Sequence, residues 1–167
     1  SFRPLLRKRL HAADEKCAAL GELAAGEHVP LDTAMDMYLE HVLGTFMYGA
    51  ELFPAVEGAE DIIREAEEKW CRQILGVRPW EGRGAVIRGE LGRVPGCWEM
   101  VCERAMVYYA KIWVLPPERR LRRVVEATEG IPGTWSAAIL SIQERYAVPD
   151  IRNTPLWCTA EDNARVR

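Results

Sequence analysis

Apolar residues recur at intervals of three and four along the first part of the chain. Leu6, Leu10, Ala13 and Cys17 follow this spacing and predict one apolar stripe on a helix over residues 3–25. Glycine and proline then interrupt the pattern, which predicts a loop before the next helix.

Five further segments show helical spacing between residues that favour helix boundaries. The predicted helices lie between Asp32 and Pro54, between Gly58 and Gly76, between Pro95 and Pro116, from Glu118 to Thr128 and between Thr134 and Pro149, with at most a short helix at Ala85–Leu91. No segment combines a two-residue alternation of apolar and polar positions with enrichment in β-branched residues, so no substantial sheet is predicted. We therefore expect an all-α protein, an irregular bundle of six or seven helices over residues 1–148, followed by an irregular tail over 149–167.

The stripes also predict which side chains face the core. The inward residues of the second helix are expected to be Met35, Tyr38, Leu39, Val42 and Phe46. The third helix should present a solvated acidic face made of Glu60, Asp61, Glu65, Glu67 and Glu68. The helix at 118–128 should bury Leu121, Val124 and Val125.

Charge and cysteine content limit the kinds of partner and compartment. The chain carries 22 Lys and Arg against 25 Asp and Glu, a net charge of −3. This balance argues against a surface that wraps nucleic acid on all sides, while a local basic patch remains compatible with it. The five cysteines are widely spaced and form no Cys-x-x-Cys pair, so we expect reduced thiols in an intracellular compartment, whether nucleus, cytosol or organelle matrix. We expect no metal site, no cofactor and no membrane span.

Arginine-rich segments are the candidate binding residues, because phosphate contact requires positive charge on one side of a fold and not a positive total. One group consists of Arg72, Arg78, Arg83 and Arg88, with Trp80 in the loop between them, and a second consists of Arg119, Arg120, Arg122 and Arg123. Each group alone is also what a solvated helix face contains. Trp80 could stack on a base or fill a gap between two helices.

Catalytic patterns are not visible in the sequence. No nucleophile elbow occurs, no glycine-rich phosphate loop follows a predicted strand, and His28 and His41 have no serine or cysteine nucleophile beside them. We expect that the isolated chain is not an enzyme.

The order of several motifs resembles one protein family. Ser1-Phe2-Arg3 precedes an arginine- and alanine-rich helix, and Met47-Tyr48-Gly49-Ala50-Glu51-Leu52-Phe53 resembles Tyr-Gly-x-Glu-x-Trp. Trp70-Cys71-Arg72-Gln73-Ile74-Leu75-Gly76-Val77-Arg78 resembles Arg-x-Ile-Leu-Gly-x-x-Arg, and Gly89-Glu90-Leu91-Gly92-Arg93-Val94-Pro95 resembles Glu-Leu-Gly-x-x-Pro. A late helix begins with Thr134-Trp135 where the family has Ser-Trp. Together these motifs resemble the region after the palm in reverse transcriptases of non-LTR (LINE-type) retrotransposons.

The resemblance implies a thumb and connector, a helical element that holds a template–primer duplex against a polymerase palm. The chain departs from the complete enzyme because it has no Asp-Asp pair for two catalytic metals, and two-metal nucleotidyl transfer requires such ligands. It also lacks the cysteine–histidine knuckle that some relatives carry downstream.

Two functional hypotheses remain open at this point. In the first, a non-catalytic helical module contacts the backbone of RNA or an RNA/DNA duplex, or packs on a polymerase core. In the second, the fold is a domesticated structural or scaffold subunit of a larger ribonucleoprotein or organelle complex, which the net charge of −3 and the acidic helix favour. The sequence does not identify the protein partners, nor whether the natural chain extends before Ser1.

Overall fold

The computed structural model describes residues 1–27, 29–78, 89 and 96–152. Within these ranges the chain is helical and contains no strand, which confirms the all-α prediction. The helices are α1 (Arg3–Glu27), α2 (Leu31–Met37), α3 (Gly44–Phe46), α4 (Ala59–Leu75), α5 (Cys97–Val114), α6 (Arg120–Thr128) and α7 (Trp135–Arg145), with a π-helical turn (Tyr38–Leu43) between α2 and α3 and a 3-10 helix (Ala50–Ala55) before α4. The short helix predicted at 85–91 lies outside the described residues except for Gly89.

One apolar cluster holds these helices together. In the stripe predicted on α1, Leu6, Ala13 and Cys17 are buried and Leu10 is partly buried, and α1 packs against α4 and the π-helical turn. At the centre of the cluster the ring of Phe46 lies 5.4 Å from that of Trp70 and 5.6 Å from that of Phe53. The indole Nε1 of Trp70 donates a hydrogen bond of 2.6 Å to Asp14 Oδ1, so the largest buried side chain also joins α4 to α1.

Glu67 connects α4 to the start of α5. The prediction that it faces solvent is wrong, because its side chain is fully buried. Its Oε1 accepts a hydrogen bond of 2.9 Å from the backbone N–H of Cys97, one of the N–H groups that the first turn of a helix leaves without an intrahelical partner. A Cβ on Gly96 would lie 2.7 Å from a carboxylate oxygen of Glu99 and 3.1 Å from Glu67 Oε2, so a larger residue here would require both carboxylates to shift.

Three residues expected in the core are exposed instead. Leu39 is 47 % exposed, because the wider π-helical turn changes the rotation per residue and moves it off the buried face. In α6, Leu121 and Val124 are 43 % and 52 % exposed and only Val125 is buried. The contact between this nine-residue helix and the bundle is narrow. It buries one of the three apolar residues that the spacing predicts to face the core and leaves the other two in solvent.

The described part of the tail packs against the bundle. Its backbone is not helical, but Ile151 is buried, and the amide of Gln143 donates a hydrogen bond of 3.1 Å to the carbonyl of Pro149. The guanidinium of Arg152 pairs with Asp150 at 2.7 Å and with Glu129 at 3.4 Å. Residues 153–167 lie outside the described residues.

Helices α4 and α7 end in the same pattern of backbone hydrogen bonds. After α4, Val77 N–H donates to Arg72 and Gly76 N–H donates to Gln73, with Gly76 in the left-handed conformation at φ 64°. After α7, Val148 and Ala147 donate to the corresponding carbonyls of Gln143 and Glu144. Ala147 occupies the left-handed position at φ 50°, where a Cβ is unfavourable.

We expect Ala147→Gly to raise the free energy of unfolding by about 0.5–1 kcal/mol, because relief of the left-handed strain exceeds the entropic cost of glycine. Ala138→Gly, inside α7, is the matched control and should lower it by about 0.5–1 kcal/mol. Urea denaturation measures both variants. Destabilisation by Ala147→Gly would contradict the assigned conformation.

We expect Glu67→Ala to lower the free energy of unfolding by about 2–4 kcal/mol, because it leaves a buried N–H without its acceptor and opens a cavity. Glu65→Ala, at an exposed position two residues earlier on α4, should change stability by less than about 0.5 kcal/mol. Thermal unfolding followed by circular dichroism compares the two. Similar melting temperatures would show that Glu67 does not hold α5.

Candidate functional site

The second arginine group lies at the start of α6. Pro116 and Pro117 lack a backbone N–H and end α5, and the chain turns so that Arg119 N–H donates to the carbonyl of Pro116 at 2.9 Å. Arg119 is the N-cap residue of α6, in an extended conformation with φ −63° and ψ 128°, and its side chain makes no capping hydrogen bond. Arg120, Arg122 and Arg123 follow within the first turn and a half.

Three of these four arginines point into solvent. Arg119, Arg120 and Arg123 are exposed, and their guanidinium groups form no ion pair with any residue in the described part of the chain. We call these three residues the arginine patch. Of the four arginines predicted as a binding group, these three are accessible in the structure, and their role in binding stays a prediction.

Arg122 has a different role, because its guanidinium is engaged within the protein. It donates to the carbonyl oxygens of Trp113 at 3.0 Å and Leu115 at 2.7 Å, which lie at the end of α5. It also pairs with Glu126 at 2.9 Å and lies 5.0 Å from the ring centroid of Trp113. Arg122 thus holds α6 against α5 and positions the arginine patch.

The positive side chains at the N-terminus of α6 lie at the positive end of the helix dipole. The N-terminus of a helix is the positive end of its dipole and favours anions, yet the first turn of α6 contains no acidic residue. Cations at this end destabilise a helix by about 0.3–1 kcal/mol each and also repel one another. A bound anion would remove this repulsion and accept hydrogen bonds from both the backbone and the guanidinium groups.

The first arginine group is only partly placed. Arg72 is 11 % exposed and turns inward to Glu68, with an Nη2–Oε1 distance of 2.6 Å, while its Nη1 donates to the carbonyl of Arg78 at 3.3 Å. Arg78 is exposed at the end of the described segment. The remaining members of the group, Trp80, Arg83 and Arg88, lie outside the described residues, so this group stays a prediction.

One exposed aromatic residue was not singled out as a binding residue from the sequence. Tyr48 is 68 % exposed, and the guanidinium carbon of Arg9 lies 4.3 Å from the centroid of its ring. The signal in the sequence is the Tyr-Gly pair, since Gly49 adopts φ 78° and turns the chain after α3. Three other basic residues of α1, Arg3, Arg7 and Lys8, are exposed as well.

Most of the titratable groups with shifted pKa values outside the two arginine groups are buried in the core or form ion pairs within the protein. Burial raises the pKa of the Cys17 and Cys102 thiols to about 12, so both are protonated at neutral pH and poorly suited to nucleophilic attack. Hydrogen bonds from Arg145 lower the pKa of Glu60, with a smaller contribution from Arg64. The Arg145–Glu60 pair joins α7 to α4, and the Arg64–Glu60 pair lies within α4.

The described residues form no metal cluster, no membrane-spanning helix and no disulfide. Among the residues that the structure describes, no three histidine, cysteine, aspartate or glutamate side chains converge as metal ligands. None of the described helices is long and apolar enough to cross a lipid bilayer. The four described cysteines, Cys17, Cys71, Cys97 and Cys102, are buried, and none forms a disulfide within this part of the chain.

Comparison of the chain with protein-family models, with curated proteins and with solved structures identifies no match. The resemblance to the thumb and connector of retrotransposon reverse transcriptases therefore stays a prediction from the motifs quoted above.

Proposed function

We propose that this chain is a non-catalytic helical module that contacts the phosphate backbone of RNA or an RNA/DNA duplex through the arginine patch. The observation that carries this proposal is the exposure of Arg119, Arg120 and Arg123, without ion pairs among the described residues, at the positive end of α6. The described arginines of α4 and of the C-terminal segment are paired with carboxylates, as in the Arg64–Glu60 and Arg152–Asp150 pairs. The patch thus brings three exposed positive charges together at one helix end, although the chain as a whole carries a net charge of −3.

Contacts of this kind would not distinguish one base sequence of the nucleic acid from another. Arginines at a helix end bind phosphate oxygens, which position a protein on nucleic acid but carry no base information. The resemblance to a thumb and connector supports the same ligand class, because that element holds a duplex by its backbone. We therefore expect binding that depends strongly on salt and weakly on sequence.

A scaffold function is the alternative that one observation favours. Leu121 and Val124 are exposed on the same helix as the arginine patch, and exposed apolar side chains beside charged ones occur in protein interfaces. In this alternative, α6 would dock on a protein subunit of a larger assembly, and loss of these two apolar residues would weaken that contact more than loss of the arginines.

We expect a triple variant, Arg119→Gln, Arg120→Gln and Arg123→Gln, to bind an RNA/DNA duplex of about 20 base pairs at least tenfold more weakly at low salt. The slope of log affinity against log salt should become shallower by about 2–3, because each lost phosphate contact removes about 0.9. Fluorescence anisotropy between about 50 and 200 mM salt measures both quantities.

Two controls separate the nucleic-acid and scaffold functions. Arg3→Gln, Arg7→Gln and Lys8→Gln make the same change in net charge on α1 and should leave the salt slope nearly unchanged. Leu121→Gln with Val124→Gln should also preserve duplex binding. Absence of duplex binding by the unaltered chain at low salt would rule out the nucleic-acid function and leave the scaffold alternative.

We expect Arg119→Asp to stabilise the protein and weaken duplex binding at the same time. Aspartate at the N-cap accepts a backbone N–H and complements the helix dipole, which raises the free energy of unfolding by about 1 kcal/mol. Its negative charge repels phosphate. Denaturation and anisotropy on the same sample measure the two effects, and a variant that is both stabilised and unchanged in duplex binding would exclude Arg119 from the interface.

A further inference from the structure

An apolar groove lies between α1 and the π-helical turn and shares no residue with the arginine patch. Its volume is about 280 Å³, close to the lower end of the range for small-molecule sites. Five apolar residues line it: Ala19, Leu20, Leu23, Met37 and Val42. The other two lining residues, Lys16 and His41, are exposed at its edge.

The π-helical turn explains why the groove exists. In an α-helix the 3.6-residue repeat would bring Met37 and His41 to one side and rotate Val42 away from them. Hydrogen bonding from residue i to i+5 widens the turn, so that Met37, His41 and Val42 all border the same groove. The hydroxyl of Thr45 donates to the carbonyl of His41 at 2.7 Å and satisfies a backbone group at the end of this turn.

Charge at the edge of the groove selects the kind of occupant. The Lys16 ammonium is exposed and forms no ion pair among the described residues, and the neighbouring His41 imidazole can donate a hydrogen bond. Glu40 precedes His41 in the chain but does not line the groove. An apolar floor with a cation at one edge matches a molecule that has an aliphatic body and an anionic end.

We propose that this groove binds a small amphiphilic anion, namely an aliphatic chain that ends in a carboxylate. Octanoate, which joins an aliphatic chain to a single carboxylate, is the simplest probe of this chemistry. The carboxylate pairs with Lys16 and accepts a hydrogen bond from His41, while the chain covers Ala19, Leu23 and Met37, the apolar lining residues that are not fully buried.

Titration of the full chain with octanoate, followed by isothermal calorimetry and amide NMR shifts, tests the proposal. We expect saturable binding of one octanoate, at least fivefold tighter than that of 1-octanol, which lacks the charge. Ala19→Phe should fill the groove and weaken binding of both probes at least tenfold. Ala18→Phe, at an exposed position that does not line the groove, is the matched control and should leave binding unchanged.

Reversal of charge provides a second readout that does not depend on the space in the groove. Lys16→Glu should make octylammonium the preferred probe over octanoate. Circular dichroism melts establish that each variant is folded, which is expected because Lys16, Ala18 and Ala19 are exposed. The Gln triple variant of the arginine patch should bind octanoate normally, so failure of the nucleic-acid function leaves this test intact. Non-saturable octanoate binding, an unchanged affinity in Ala19→Phe or an unchanged preference in Lys16→Glu would overturn the proposal.

Discussion

The buried carboxylate of Glu67 is the constraint on which the arrangement of the C-terminal helices depends. Its hydrogen bond to Cys97 N–H joins the middle of α4 to the first residue of α5, and Gly96 leaves the space that this contact requires. From that point α5 crosses the bundle and packs against the 3-10 helix and α7. Its C-terminal carbonyls then bind Arg122, which fixes the start of α6. A contact deep in the core thus determines where the exposed arginines stand.

Helix positions were predictable because they depend on local spacing. The α1 stripe, the proline stop after α5 and the Thr134 cap each need only a few neighbouring residues, and Thr134 Oγ1 does accept from Ala137 N–H at 3.3 Å. The orientation of Glu67 was not predictable, since it sits among other glutamates and its partner lies 30 residues further along the chain. The prediction that Leu39 faces the core was wrong because no pattern of residues indicates where a 3.6-residue turn changes to the wider π-helical turn.

In the candidate site, too, the sequence predicts one part and the tertiary structure decides the other. Four arginines within five residues are visible in any reading of the chain, and their proximity on a helix end follows from that. Which of them remain accessible depends on tertiary contacts. The guanidinium of Arg122 donates hydrogen bonds to two carbonyl groups at the end of α5, and the sequence does not predict this contact. Arg72 shows the converse, since its partner Glu68 is four residues away and the pair could be anticipated from helical spacing.

Few buried contacts hold α6 to the bundle, and this affects how easily the helix opens on its own. Only Val125 of this helix is buried, its N-terminus carries charge of the unfavourable sign, and Arg122 is its main polar link to α5. Segments with few buried contacts open at a smaller free energy than the whole domain. The amide protons of α6 are therefore expected to exchange with solvent deuterium through local opening, well ahead of those in α4 and α5, so this helix forms its own cooperative unit at the edge of a more rigid bundle.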